Sequence, residues 1–147
     1  MFERRQAFRE DAAEETSASS RYDFLLFGLG RYGREIGRRL ARDGYTVYGV
    51  DFDPEFIAHL PLAHVRGVIS AIPRNTVGLT DTDPRLALLH GLRSAGYHGH
   101  LAVAMHTPTD ADLLRAQDVE LILTPFSDAA DFAVAALEKS ISVVQDR

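Results

Sequence analysis

The stretch that decides the fold is Phe24-Leu25-Leu26-Phe27-Gly28-Leu29-Gly30-Arg31-Tyr32-Gly33, a short apolar run that ends in a glycine-rich turn. A continuous apolar run of this length followed by glycine is typical of a parallel strand buried on both faces. After the turn, Ile36, Leu40 and Ala41 recur at helical spacing among arginines, until Asp43-Gly44 ends the pattern. The stretch therefore predicts a strand, a tight turn and a helix with one buried side.

The rest of the chain alternates apolar runs with helical segments in the same way. Strands are predicted at 46–50, 65–72, 101–105 and 120–123, and three segments begin with a cap followed by proline, namely Asp53-Pro54, Asp83-Pro84 and Thr107-Pro108. A last helix is predicted from about 128 to 144. Because strand-helix-strand crossovers are right-handed, the pattern predicts an α/β fold with a doubly wound, five-stranded parallel sheet.

The length and hydrophobic content of the chain are those of a single domain. The chain has 147 residues, of which 46% are hydrophobic, so residues 22–147 are expected to form one domain, while residues 1–21 are expected to be a flexible arm or linker. A net charge of -5 argues against nucleic acid as a partner, since phosphate backbones are bound by clustered Lys and Arg. Without cysteine there is no disulfide or thiolate chemistry, and no apolar run is long enough to span a bilayer.

The glycine turn is the candidate ligand site. Gly28 permits the tight turn, Gly30 lets a phosphate approach the backbone, and Gly33 lets the helix lie close to the sheet. Asp51 lies 23 positions after Gly28, at the spacing where a carboxylate meets ribose hydroxyls and opposes a 2′-phosphate. The predicted cofactor-binding residues are Gly28, Leu29, Gly30, Arg31, Tyr32, Gly33, Asp51, Phe52 and Asp53.

The same residues also allow simpler interpretations than a cofactor site. The glycines could serve only a tight turn, with Asp51 a solvated strand end and Asp53 a helix cap. His98 and His100 lack companion ligands and fit a turn better than a metal site, and a lone His106 at a strand end is more often structural. No metal site and no catalytic residue is predicted, and the protein is not expected to be an enzyme.

Residues 24–37, together with Val50-Asp51-Phe52-Asp53-Pro54-Glu55, resemble the TrkA-N domain, the N-terminal lobe of the RCK modules that regulate potassium channels and transporters. The later segments 101–105, 111–114 and 121–125 look like the closing strands and helices of the same family, so the resemblance spans most of 22–137. It is most similar to the cytosolic domains attached to Kef-type cation/proton antiporters.

This resemblance implies a cytoplasmic, Rossmann-like regulatory domain that binds NAD(H), AMP, ADP or ATP and controls a potassium or cation/proton transport system, to which it can be tethered. It also implies a homodimer. One strand-helix unit of the family, at the sheet edge beside the adenine, is missing between Glu55 and the strand at 65–72. The remaining strand order is therefore 2-1-3-4-5, the flavodoxin-like order, and nucleotide binding is expected to be weaker than in a complete domain.

Helix residues Leu86, Leu89, Leu92, Val134 and Leu137 are expected to cover the sheet. Two other functional interpretations remain open. One is a folded scaffold that has lost nucleotide binding with the missing unit. The other is a small NAD-dependent oxidoreductase with its substrate near residues 73–82, although the chain offers neither an obvious acid-base pair nor room for a substrate domain.

Overall fold

The computed structural model describes residues 5–8, 21–51, 57, 60, 62–73 and 83–145, with only the backbone described at 5–8. Six strands form one sheet: β1 Arg5–Phe8, β2 Phe24–Phe27, β3 Val47–Val50, β4 Gly67–Ser70, β5 His100–Ala104 and β6 Leu121–Leu123. Four helices accompany them: α1 Arg31–Arg42, α2 Pro84–Ser94, α3 Ala111–Arg115 and α4 Pro125–Gln145. Two short 3-10 turns lie at Leu62–His64 and Pro108–Asp110.

The predicted parallel sheet is confirmed. Strands β3, β2, β4, β5 and β6 are hydrogen-bonded neighbours in that order and all run parallel, which is the predicted order 2-1-3-4-5. β2 is central, and its Phe24 lies opposite Val47 on one side and Gly67 on the other. The chain order reverses beside β2, so the turn after β2 lies where doubly wound sheets open a crevice for ligands.

A sixth strand was not predicted. β1 pairs antiparallel with β3, with Arg5 opposite Val50 and Phe8 opposite Val47, so the prediction of a flexible arm over residues 1–21 is wrong for these four residues. An open sheet edge presents unpaired backbone groups that accept any extended segment, whatever its composition. The other predicted arm residues, 1–4 and 9–20, lie outside the described residues.

The two faces of the sheet are covered unequally. One face packs against α2 and α3, where Leu25, Phe27, Val68 and Val103 meet Leu88, Leu89, Leu92 and Leu114 in the larger apolar core. The other face, with Leu26, Val47 and Ile69, packs against the apolar side of α1. Alternation of side chains along each buried strand places successive residues in the two cores. Within the described residues, α1 is the helix that packs on this second face.

The last helix departs from expectation. α4 has no buried residue, and Val134 and Leu137, which were predicted to cover the sheet, are 54% and 63% exposed. Leu89 and Leu92 are buried as predicted and Leu86 packs at the edge of the larger core. The apolar spacing of α4 was identified correctly, but it does not meet the sheet of its own chain. No helix among the described residues is both long and apolar enough to cross a membrane.

Candidate functional site

The site is built where β2 ends and α1 begins. Gly28 has φ +91°, which L side chains rarely adopt, and its N–H donates to the carbonyl of Val50 over 3.0 Å. A Cβ at this residue would lie 2.9 Å from the backbone nitrogen of Ile72. On the β4 side, the N–H of Ala71 donates to the carbonyl of Phe27 over 2.8 Å. The turn is therefore pressed between the ends of both neighbouring strands.

Gly33 sets how closely α1 approaches this turn. A Cβ on Gly33 would overlap the carbonyl oxygen of Gly28 and lie 3.3 Å from the Cβ of Ala71. The residue is buried and lies in the first turn of α1. The absence of a side chain therefore brings the beginning of the helix against the glycine turn and the end of β4, as the sequence predicted.

Gly30 differs from the other two glycines because no described residue lies close to the position of its Cβ. It caps the N-terminus of α1 with φ -71° and ψ -172°, values open to any residue, and no heavy atom of the described residues lies within 4 Å of that position. Within the part of the chain that the structure describes, no side chain caps this helix end, and the first turn of α1 holds no acidic residue. The N–H groups of Arg31, Tyr32 and Gly33 are those that an α-helix cannot satisfy internally, so they remain donors for an anion.

Asp51 lies at the rim of the same turn. Its Oδ1 accepts a hydrogen bond of 3.1 Å from the N–H of Leu29, which holds the half-buried carboxylate beside the glycine turn. Arg34 was not predicted to contribute, yet its Nε donates to the carbonyl of Leu29 over 2.8 Å. Leu29 is thus fixed from both sides. The signal for Arg34 would have been its place one helical turn after Gly30, but exposed arginines surround it in sequence.

The predicted site residues do not all lie on the same surface of the domain. Arg31 is exposed at the first position of α1, beside the open face of Gly30. The side chain of Tyr32 instead lines an apolar groove on the second face of the sheet, where burial, and then the charge of Asp128, raises the pKa of its phenol. Only its backbone N–H belongs to the anion site. Phe52 and Asp53 lie outside the described residues, as does the predicted cap at Asp53.

A buried ion network lies at the beginning of α2. Arg85 is fully buried and donates to both carboxylate oxygens of Asp83, at 3.0 and 2.7 Å, and to Asp110 over 3.1 Å. Thr107 adds a 2.8 Å hydrogen bond to Asp110. Asp83 also caps α2 by accepting from the N–H of Arg85, as predicted. The hydrogen bonds to the Asp83 side chain, the largest cause, and those to Asp110 raise the pKa of Arg85.

Sequence reasoning identified the Asp83 cap but missed this network. An Asp-Pro-Arg string suggests an exposed arginine in the first turn, and nothing in it points to a carboxylate 25 residues later. The network joins the beginning of α2 to the turn that follows β5.

His106 and His100 lie at two other places in the described structure. His106 lines a cavity of about 270 Å³ at the carboxyl ends of β5 and β6, with Met105, Thr107 and Thr124. The Nδ1 of His100 lies 2.6 Å from a carboxylate oxygen of Glu120 on the surface. Across the part of the chain that the structure describes, no three histidine or acidic side chains are grouped as a metal site would require. Most of residues 73–82 fall outside the described ranges.

Comparison with known proteins gives one informative likeness. The solved NAD(P)-binding domain of an exopolyphosphatase-related protein from Archaeoglobus fulgidus superposes with a TM-score of 0.63 and 19% sequence identity, over 81% of this chain and 99% of that one. The fold is Rossmann-like. At this identity the likeness shows the fold alone. No family model matches the chain, and no curated protein matches it.

Proposed function

We propose that this Rossmann-like domain binds an adenine nucleotide, with a phosphate at the N-terminus of α1 and the ribose at Asp51. The observation that carries the proposal is the contrast between the glycines. Gly28 and Gly33 lie against backbone, whereas Gly30, at the N-terminus of α1, has no neighbour among the described residues within 4 Å of the position of a Cβ. A turn that only reversed the chain would need Gly28 and Gly33 but not Gly30. A small residue there matters if a ligand approaches the backbone.

The ligand class follows from the charges around the turn. Open N–H groups and a positive helix end favour phosphate or pyrophosphate, while Asp51 offers an oxygen to ribose hydroxyls and repels a 2′-phosphate. NAD(H), AMP, ADP and ATP are therefore expected to bind in preference to NADP(H). The Archaeoglobus neighbour, as an NAD(P)-binding domain, favours a nicotinamide dinucleotide among these. Because the strand-helix unit that borders the adenine is missing, we expect weaker binding than in a complete TrkA-N domain.

The cellular role that we propose rests on the resemblance to TrkA-N domains. In this role the chain is a cytoplasmic regulatory domain with no chemistry of its own, and nucleotide binding changes the activity of a potassium or cation/proton transport system.

Calorimetric titration with NADH, NAD⁺, NADP⁺, AMP and ATP tests the ligand class directly. A separate screen for NADH oxidation, followed by cofactor absorbance with small carbonyl compounds present as hydride acceptors, tests for hydride transfer, and turnover would favour the oxidoreductase interpretation.

Gly30→Asp should weaken nucleotide binding about tenfold to 100-fold or more without unfolding the protein. The added carboxylate would stand where we place the phosphate, and the two negative charges would repel each other. Because the site is open and φ is -71°, the fold should tolerate the side chain. Gly30→Ala is the matched control, which adds the Cβ without the charge and should bind more tightly than Gly30→Asp.

Asp51→Asn should lower affinity for NAD⁺ about tenfold, since it removes the charge that strengthens hydrogen bonds to ribose. The asparagine oxygen can still accept from the N–H of Leu29, so the turn should keep its geometry. The variant should also lose the discrimination against NADP⁺. If Gly30→Asp and Asp51→Asn both bind NAD⁺ as the original chain does, or if no nucleotide binds at millimolar concentration, the proposal is wrong.

A further inference from the structure

Three neighbouring strands meet the proposed nucleotide site in a fixed order. β2 ends at the glycine turn, and β3 lies beside it and ends next to Asp51. Because β1 is antiparallel to β3, its first residue, Arg5, lies at the same edge of the sheet, opposite Val50. Neighbouring strands are about 4.8 Å apart. With a phosphate at α1 and the ribose at Asp51, as proposed above, the base of a nucleotide is expected to continue over β3 toward β1.

Arg34 lies on the side of α1 that faces this part of the site. Tyr32 lines the apolar groove on one side of α1, and Arg34, two residues later, lies about 200° around the helix from it. α1 packs over β1, β2 and β3, so the side of Arg34 is the side of β3. Leu29 accepts a hydrogen bond from the Nε of Arg34 and donates one to Asp51. The guanidinium and the carboxylate are therefore held by the same residue of the turn.

The guanidinium of Arg34 is fixed in place with most of its binding capacity unused. The residue is half-buried, and its Nε bond to the carbonyl of Leu29 is 2.8 Å long. A guanidinium has five N–H donors, and among the described residues neither Nη of Arg34 has a partner. Arg38 and Arg39, further along α1, instead share the carboxylate of Glu35. A half-buried cation without a counter-charge is costly, so a ligand that covers its flat face is favoured.

We propose that Arg34 recognises the base of the nucleotide, with the plane of its guanidinium stacked on the aromatic ring. A planar guanidinium stacks on aromatic faces through cation–π attraction and van der Waals contact, and proteins hold unpaired bases in this way. The proposal rests on the nucleotide site proposed above. It adds the residue that selects a nucleotide over a sugar phosphate, for which the sequence offered no candidate.

A phosphate is the other group that an arginine commonly binds. The donors for a phosphate are already present at the N-terminus of α1, beside Gly30. Arg34 lies one helical turn further along α1 and on the side of β3. Its hydrogen-bonded neighbour Leu29 also holds the carboxylate of Asp51, which repels a 2′-phosphate on the ribose. These positions favour the uncharged base as the group that Arg34 meets.

The test compares AMP with ribose 5-phosphate, which has the same sugar and phosphate but no base. Both are titrated by NMR into the full-length chain and into Arg34→Gln. AMP should bind the original chain about tenfold more tightly than ribose 5-phosphate, because one stacked base contributes about fivefold to 100-fold in affinity. In Arg34→Gln this ratio should fall several-fold, while ribose 5-phosphate should bind both chains alike. An equal loss for the two ligands would mean that Arg34 supports the turn or the phosphate, and would overturn the proposal.

Two further variants separate the plane of the side chain from its charge. Arg34→Lys keeps the charge without the plane, so it should lose the preference for AMP as Arg34→Gln does. Recovery of this preference by Arg34→Lys would indicate a charge contact and would contradict stacking. Arg38→Gln is the matched control, because it removes the same charge one helical turn away, where Arg38 pairs with Glu35 on the surface. It should keep the original ratio.

The NMR signals of the Arg34 side chain give a direct signature. A base stacked on the guanidinium should move these signals upfield through its ring current, and ribose 5-phosphate should not. AMP binding without this shift, or with the same preference over ribose 5-phosphate in Arg34→Gln, overturns this proposal and leaves the phosphate and ribose contacts standing. If AMP does not bind at millimolar concentration, both proposals are wrong. A loss confined to NADP⁺ would assign Arg34 to a 2′-phosphate instead.

Discussion

Gly33→Ala should destabilise the domain by about 3 kcal/mol, a large share of the 5 to 15 kcal/mol that holds a typical domain together. The new methyl group would overlap the carbonyl oxygen of Gly28, which is backbone and has no rotamer to change. Relief requires α1 to move away from the sheet and the core beneath it. The gain in helix propensity from glycine to alanine, about 1 kcal/mol, acts in the opposite direction and is too small to offset this cost.

Urea unfolding followed by far-UV circular dichroism measures this effect. Gly30→Ala is the control, because its methyl group enters open space at an ordinary φ of -71°. We expect the control to change the free energy of unfolding by less than about 0.5 kcal/mol. Equal stability of the two variants would mean that α1 does not pack on the glycine turn, and would remove the structural basis for the anion site.

Arg85→Ala should cost about 3 to 5 kcal/mol, the typical effect of removing one partner from a buried ion pair. The guanidinium is fully buried and lies between the carboxylates of Asp83 and Asp110. Its loss removes the positive charge that now lies between Asp83, at the beginning of α2, and Asp110, in the turn after β5. Asp110→Ala should cost less, because Arg85 keeps both of its contacts with Asp83.

Thermal unfolding separates these cases, since about 3 kcal/mol lowers the Tm of a domain of this size by roughly 10 °C. Arg38→Ala is the control, because Arg38 pairs with Glu35 at 3.3 Å on the surface, where both side chains are more than half exposed. Exposed pairs contribute about 0 to 1 kcal/mol. If Arg85→Ala and Arg38→Ala lower the Tm equally, the buried network does not stabilise the fold.

The sequence revealed the structural role of Gly33 but not that of Arg85. The spacing of Gly28, Gly30 and Gly33 after a buried run predicted the turn, because strand, turn and helix are set by neighbours within a few residues. Arg85 gave no such signal. Its burial depends on Asp110, which is distant in the chain and reaches it through the turn after β5.

The edge strand β1 is a second feature that sequence patterns did not predict. Residues 1–21 have the composition of a solvated arm, yet Arg5–Phe8 pair with β3. Pairing of this kind uses backbone groups that every residue carries, so composition does not report it. β3 lies beside β2 on one side only of the parallel sheet, and only the assembled sheet shows that Arg5–Phe8 occupy its other edge.

The sequence by itself determined the five parallel strands, the glycine turn and the Asp83 cap, because short-range spacing and conformational preference decide each of these. The strand order was implied by the resemblance to TrkA-N domains, since no local pattern decides it. It also determined that α4 has an apolar face. Whether that face packs on the sheet was decided only by tertiary structure. A single residue, Thr124, connects β6 to α4, and Val134 and Leu137 lie exposed. Helix periodicity specifies that a face must be buried, whereas the geometry of the connection specifies where.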